Sequence, residues 1–346
     1  MRDYRVEVLR NRIPIGTLLC RSLSIKYDSN AEVMRGLQCD LYADRQEMIT
    51  ADGVTFEFDL FTDRIRPILI EDDKEYSLGI FMVISAPKRL SETGSYYDLE
   101  AYDETMLLKQ GAVTSRTFFD VGTSYIDAIE TLLTSVGLTD VFADDNSDTM
   151  TISHEYEVGA TYLQIINALL SEINFNPVHI GADGYVYLTR KTEPVQADFI
   201  YKDRKQFNLI GEIKTETDIY DKPNVLIGVL SNPQESPIVY VRENDDPSSV
   251  LSTVRRGYRV VQTYRMSSIA SQDVLEAYID AELLNAMQTT ETVEFQTLIE
   301  GGHEYRTAVQ LSTNLIDGLF TETAWQIDIN PSQARMRHTA ERRIFI

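Results

Sequence analysis

The sequence predicts a mainly β protein with α/β inserts, an α+β chain in which two β-barrels flank a small α/β module. Three observations lead there. Short strand-like runs fill the first hundred or so residues, the hydrophobic period lengthens to about 3.6 between residues 118 and 190, and the strand signal returns from about 195.

In the first stretch the runs Tyr4–Leu9, Leu23–Tyr27, Leu37–Tyr42, Val54–Leu60, Pro67–Ile70, Tyr76–Ser85 and Tyr96–Tyr102 alternate apolar with polar residues or are rich in β-branched and aromatic ones. Gly, Asn and Asp turn signals such as Asp52-Gly53 separate them, the spacing of a sandwich or barrel. Polar Ala43–Ala51 reads as a long loop or short helix crossing the barrel. Ser124 is an N-cap with acidic Asp127 three residues on, and Ile126, Ile129, Leu133 and Val136 form one face before Gly137 ends the helix. A second helix follows Thr161, with Leu163, Ile166, Leu170 and Ile173 on a stripe. After Asn176-Pro177 comes a hairpin, Val178–Ile180 and Tyr185–Leu188, turned at Gly181 to Gly184.

Strands return at Phe199–Tyr201, Phe207–Thr215, Val225–Leu230, Ile238–Val241 and Tyr258–Tyr264. A third helix after Ser271 has Val274, Tyr278, Ala281 and Leu284 on one face, and Val293–Leu298, Thr307–Leu311, Ala324–Ile329 and Arg343–Ile346 complete the second barrel. The expected division is residues 1–105 as the first barrel, 106–192 as the α/β module, and 193–346 as the second barrel with an insertion at about 223–290. No repeat with a period of 20–50 residues suggests a solenoid.

A chain of 346 residues with 43% hydrophobic content can bury more than one core. With 32 Lys and Arg against 54 Asp and Glu, the net charge of −22 argues against a surface that neutralises duplex phosphates. Cys20 and Cys39 fall in strand segments and are too few for a disulfide framework, although one bridge is feasible if their strands pair side by side. The N-terminus lacks the apolar run of a secretory signal, and no stretch has the ~18–20 apolar residues of a membrane span, so a soluble protein made in the cytoplasm is expected.

Enzyme signatures are missing: there is no GxSxG, GxGxxG, Walker loop, HExxH or CxxC. His154, His179, His303 and His338 are dispersed, with nothing in the sequence to pair any of them with a nucleophile. Paired carboxylates are too common in so acidic a chain to point to a glycosidase site. Asp144, Asn146, Asp148 and Glu155 fit positions 1, 3, 5 and 12 of a calcium loop, but Thr149 stands where the sharp turn needs Gly, and a polar turn is the better reading. No catalytic residue, cofactor or metal is expected. Arg255, Arg256, Arg259 and Arg265 form one basic cluster, and Arg335, Arg337, His338, Arg342 and Arg343 form another. They suit solvated faces or docking onto acidic surfaces of neighbouring subunits, for which Arg255, Arg256, Arg335 and Arg337 are the candidates.

Three segments remain without a chemical role: Arg64-Ile65-Arg66-Pro67, Ser77-Leu78-Gly79-Ile80-Phe81 and Asp98-Leu99-Glu100-Ala101-Tyr102-Asp103. They resemble the signature of baseplate-hub proteins, which cap the tail tube of bacteriophages and related contractile injection machines. The later half is similar to the same family in Asn224-Val225-Leu226-Ile227-Gly228, Asn244-Asp245-Asp246-Pro247-Ser248-Ser249, Gly257, Ser268-Ile269-Ala270, and the helix Ala277–Leu284 leading into Val293–Leu298. Residues 118–190 also resemble a small peptidoglycan-binding-like domain found at that place. The hub-family motif residues in this chain are then Arg64, Arg66, Pro67, Leu78, Gly79, Phe81, Asp103, Gly228, Asn244, Pro247 and Gly257.

The resemblance implies a homotrimer with two tube-like barrels per subunit, a pseudo-sixfold ring that joins a sixfold tail tube to a threefold spike or central fibre. The implied partners are a tail-tube or distal-tail protein, a spike or fibre protein and a tape-measure protein. DNA enters only as passing cargo through an acidic lumen, and there is no stable membrane insertion. Assembly would be in the tail of a virion or phage-like particle after synthesis in the bacterial host cytoplasm. Alternatives are the N-terminal-type tail-associated protein of a long flexible tail, or a tail component that binds or hydrolyses peptidoglycan.

Overall fold

The computed structural model describes residues 2–42, 48–49, 55–56, 58–91, 94–202, 209–217, 219–230, 238–266, 272–330 and 333–345. It is mainly β with a few small helices. The chain divides into two compact units, Met1–Glu212 with Phe295–Thr339, and Ile213–Glu294 with Ala340–Ile346.

The first part of the chain supplies β1 (Arg2–Arg10), β2 (Ile13–Leu18), β3 (Cys20–Asp28), β4 (Arg35–Tyr42), β5 (Met48–Ile49), β6 (Thr55–Phe56), β7 (Arg64–Glu71), β8 (Lys74–Ser77), β9 (Phe81–Ser85), β10 (Lys88–Ser91) and β11 (Gly94–Asp103). Two expectations change here. Among the described residues of Val54–Leu60 the strand is the two-residue β6, and Tyr76–Ser85 is broken between β8 and β9, where Gly79 has a φ of 131°. Sequence reasoning passed over β2, whose Pro14 and Gly16 are poor strand formers. Most of the Ala43–Ala51 segment, with Asp52-Gly53, lies outside the described residues.

The α/β module holds α1 (Thr105–Gln110), β12 (Thr117–Phe119), α2 (Tyr125–Ser135), β13 (Val141–Ala143), β14 (His154–Tyr156), α3 (Tyr162–Glu172), β15 (His179–Ile180) and β16 (Val186–Leu188). Ser124 caps α2 by accepting from the Asp127 amide at 3.3 Å, and Thr161 and Gln164 form a reciprocal capping box on α3. The helices bury Ile129, Leu132 and Leu133 of α2 and Ile165, Ile166, Leu169 and Leu170 of α3 in one apolar core. The expected hairpin forms as β15 antiparallel to β16, and β13 adds to β16 in parallel.

The remaining elements are β17 (Phe199–Lys202), β18 (Leu209–Thr217), β19 (Val225–Leu230), β20 (Ile238–Glu243), α4 (Thr253–Arg256), β21 (Val261–Met266), α5 (Gln272–Ala286), β22 (Gln288–Thr297), β23 (Ala308–Ser312), β24 (Asp317–Asn330) and β25 (Gln333–Phe345). In the first unit the main sheet runs β24-β3-β4-β11-β9-β7-β1-β2, with β23 against β24 and β17 against β23. Strands distant in sequence therefore share a ladder: β24 pairs antiparallel with β3 from Ala324↔Asp28 to Ile329↔Leu23. Because side chains alternate across a strand, Leu23, Ile25, Leu37, Cys39, Leu99, Ala101 and Ile327 all fall on the buried face.

The second unit is built on a three-stranded sheet, β20-β19-β21, and α5. The helix corrects the sequence reading. Leu275, Ile279 and Leu283 are buried, whereas the expected stripe of Val274, Tyr278, Ala281 and Leu284 is exposed. The two stripes are one residue apart and both are apolar at a spacing of three or four, so periodicity alone does not choose between them. Gly228 does choose: a Cβ there would lie 2.7 Å from the Ile279 side chain and 2.9 Å from that of Leu275, so its missing side chain lets α5 settle on β19.

Candidate functional site

Four of the first-half motif residues converge on Arg35, which sequence reasoning did not single out. The register Trp325↔Tyr27↔Arg35 places this arginine in an inward-facing row, where it is 1% exposed. Its guanidinium lies 5.3 Å from the Tyr27 ring centre and 5.6 Å from that of Trp325, pairs with Glu304, and donates to the Leu78 carbonyl at 3.3 Å. The Arg35 amide donates to Asp103 Oδ2 and the Thr105 amide to Asp103 Oδ1, both at 2.9 Å. Burial raises the Asp103 carboxyl, and these hydrogen bonds hold back part of that rise. At Gly79 a Cβ would meet the buried Phe81 ring at 2.8 Å and the Arg35 side chain at 3.4 Å. One signal was present: Arg35 is in phase with apolar Leu37, Cys39 and Leu41, the phase of a residue pointing inward.

The other motif residues bind the sheet laterally. On β7, Arg64 Nε donates to Glu104 at 2.9 Å and Arg66 Nε to Glu7 at 2.9 Å, while Ile65 between them points into the core. Pro67 has no amide hydrogen, and its carbonyl accepts from Leu78 N at 2.9 Å. The α/β module is held to this framework through its hairpin. Ser77 Oγ donates to Ala182 O at 2.5 Å, Arg12 Nη1 donates to Gly184 O at 3.1 Å, and Ala182 N donates to Glu304 at 3.3 Å.

The opposite face of the sheet is polar and acidic. Asp328, Ser24, Gln38 and Glu100 form one cross-strand row, and Ser22, Asp40 and Asp98 form the next. Carboxylates directly opposite each other repel. Arg89 relieves the Asp40–Asp98 pair by donating to both, at 3.2 and 2.7 Å, and Arg337 lies 2.6 Å from Asp328. Burial raises the Asp328 carboxyl, but hydrogen bonds from Ser24, Gln326 and Arg337 outweigh it and leave the group below the usual range.

In the second unit, Asn244 Nδ2 donates to Ser249 Oγ at 3.0 Å and closes the loop in which Pro247 is exposed. Gly257 ends α4 with a φ of 74°. The residue that organises this region is Asn224: its side chain donates to Leu251 O and Tyr258 O and accepts from Val260 N. Arg255 is exposed, whereas Arg256 directs its guanidinium at the carbonyls of Lys222, Ile219 and Tyr220. In the first unit, Arg335 is exposed. The Ser268-Ile269-Ala270 segment lies outside the described residues.

The calcium-loop residues have separate partners. Asp144 accepts from Arg190 N at 2.8 Å, Asn146 and Asp148 bond each other, and Glu155 pairs with Arg116. The dispersed histidines behave differently from their spacing in sequence. His303 Nδ1 and His338 Nδ1 lie 2.8 and 2.6 Å from the two oxygens of Glu322, and all three residues are buried. Burial raises the Glu322 carboxyl, and the two imidazoles more than reverse that rise. The missed partner is Glu322, whose neighbours Thr321 and Thr323 gave no pattern to mark it. His179 is stacked 4.0 Å from Tyr305, and burial pushes its pKa down to about 4.

No family model and no curated protein matches the chain. Solved structures do. A tail protein from Neisseria meningitidis superposes with a TM-score of 0.64 at 12% identity, covering 98% of this chain and 96% of that one. The 43 kDa tail protein of prophage MuSo2 from Shewanella oneidensis gives the same score of 0.64 at 8% identity, with 98% of both chains covered. The chain has the fold of these tail proteins. A chain of the Francisella PdpA–VgrG complex gives 0.58 at 8% identity, with 99% of this chain covering 53% of that one.

Proposed function

We propose that this tail-fold protein is the structural hub of a phage or phage-like tail. Three copies form a ring whose tube-like β-halves meet a sixfold tail tube on one side and a threefold spike or central fibre on the other. The observation that carries the reading is the reciprocal coverage of 96% or more with two tail proteins, which leaves no large part of this chain outside the tail fold. The role is mechanical rather than catalytic.

The acidic rows on β24, β3, β4 and β11 supply the lumen wall in this reading. Phosphate backbones and an acidic surface repel, so cargo slides past Asp40, Asp98, Glu100 and Asp328 without the adhesion that clustered Lys and Arg create. Exposed Arg255 and Arg335 supply cations for docking onto acidic neighbours, and a closed ring requires such heterologous contacts to be complementary. Among the described residues no helix is long and apolar enough to cross a membrane, in keeping with a place in the tail of the particle.

Native mass spectrometry of the full chain tests the proposal. The expected species is three times the 39.4 kDa subunit, and it caps isolated tail tubes in electron micrographs. A chain that stays single at tens of micromolar, or that digests cell walls in a zymogram, overturns it.

A further inference from the structure

The hydrogen bonds around His303, Glu322 and His338 leave a place for positive charge that no side chain fills. Each ring is held at both nitrogens. His338 Nε2 lies 2.8 Å from Thr297 Oγ1, and that hydroxyl is 2.7 Å from the Leu298 carbonyl. A carbonyl only accepts, so the Thr297 hydrogen points at it and the hydroxyl oxygen must receive Nε2–H. His303 Nε2 lies 3.2 Å from the Tyr201 hydroxyl, which donates to Glu300 at 2.9 Å and so also receives Nε2–H. With hydrogen on both Nε2 atoms, both Nδ1 atoms face Glu322 at 2.8 and 2.6 Å, and a ring without a second proton there sets its lone pair against a carboxylate lone pair. Something positive belongs between them.

We propose that His303 Nδ1, His338 Nδ1 and the Glu322 carboxylate bind one divalent transition-metal ion of the zinc class. Two imidazoles and a carboxylate are donors such an ion prefers. One ligand atom from each residue lies within 4.8 Å of the others, a spread that small side-chain rotations close onto bonds of about 2.0–2.2 Å. The surroundings are those of a metal site. Ligating histidines as a rule donate their second ring N–H to an oxygen, the part Thr297 and Tyr201 play here. Phe199 stacks on His303 at 4.1 Å and Phe295 on His338 at 4.6 Å, fixing both ring planes. A cleft of about 290 Å³ lined by Glu71, Asp198, Glu300 and Tyr201 gives a cation an acidic approach as far as Tyr201, whose hydroxyl is hydrogen-bonded to His303. The residues are buried, so the ion is a structural pin joining β24, β25 and the loop after β22.

The experiment uses the full chain, stripped with a chelator and titrated with Zn²⁺ alone and, separately, Co²⁺ alone. One zinc per chain is expected, with a rise of several degrees in melting temperature, and zinc-edge absorption reporting two nitrogen neighbours. Cobalt should give the visible band of a low-symmetry, nitrogen-containing site. Glu322→Gln and His338→Gln should lose the uptake. Thr297→Val, which removes the Nε2–H acceptor and the hydroxyl's bond to the Leu298 carbonyl but none of the three ligands, should bind zinc some 10–100-fold more weakly while remaining folded. Failure of the wild-type chain to take up zinc or cobalt, or uptake unchanged in His338→Gln and Thr297→Val, overturns the assignment, even if a trimeric hub is established.

Discussion

The two units bury different things. In the first, charged groups lie deep inside the sheet and are held by specific partners: Arg35 between aromatic rings and Glu304, Asp103 under two amides, Glu322 between two imidazoles. The second closes on a small apolar cluster, Leu226, Leu275, Ile279 and Leu283, with Asn224 bracing a loop beside it. A buried charge fixes one arrangement, because every alternative leaves it unpaired. A small apolar cluster fixes only a face and a distance, and tolerates rearrangement more readily. The contrast teaches where each unit is vulnerable.

The largest expected effect tests the first unit's dependence on its buried cation. Arg35→Ala strips the carbonyl of Leu78 and the Tyr27–Trp325 pair of their partner and should cost about 3–5 kcal/mol in urea unfolding. Glu304→Gln should cost less, about 1 kcal/mol, because the amide oxygen still accepts from Arg35 and the Glu304 side chain is 49% exposed. Equal losses from the two would erase the distinction between a buried cation and its half-exposed counter-ion.

Next is the apolar cluster. Leu226→Ala should remove about 2–5 kcal/mol. Limited proteolysis should then cut within 213–294 while the remainder resists, and uniform digestion would mean that the units do not unfold separately.

The third prediction concerns pH. Burial among Tyr187 and Tyr305 holds His179 at about 4, so between the ordinary value of 6.5 and that point the unfolded chain binds a proton that the folded chain refuses. Stability is therefore complete above pH 6.5 and falls as the pH drops toward 4, by about 3 kcal/mol from this group. His179→Gln should flatten that acid limb, and the second-unit variant Leu226→Ala should leave its slope unchanged. The smallest effect is on the acidic face, where Arg89→Ala restores the Asp40–Asp98 repulsion and should cost up to about 1 kcal/mol, less in high salt.

Much of the fold is legible in the sequence because it is local. Ser124 with Asp127, Thr161 with Gln164, and the Gly181–Gly184 turn specify their elements within a few residues, and β19 has the expected bounds Val225–Leu230. What the sequence conceals is pairing at a distance. Leu23 and Ile329 are 306 positions apart yet directly opposed, and no periodicity encodes that register. Arg35 illustrates the same limit: its inward phase is visible, but its partners Leu78, Glu304 and Trp325 are not. The orientation of α5 was missed for another reason, since its two apolar stripes differ only in which one Gly228 lets approach.

The tie between the α/β hairpin and the sheet also bears on how the molecule carries load. Ser77, Arg12 and Glu304 grip the backbone of Ala182 and Gly184, whose turn is only a few residues long. Because the three anchors come from separate segments, a tug on the helices strains them together and cannot unzip them in turn. A pull on the module is then shared by three bonds at once.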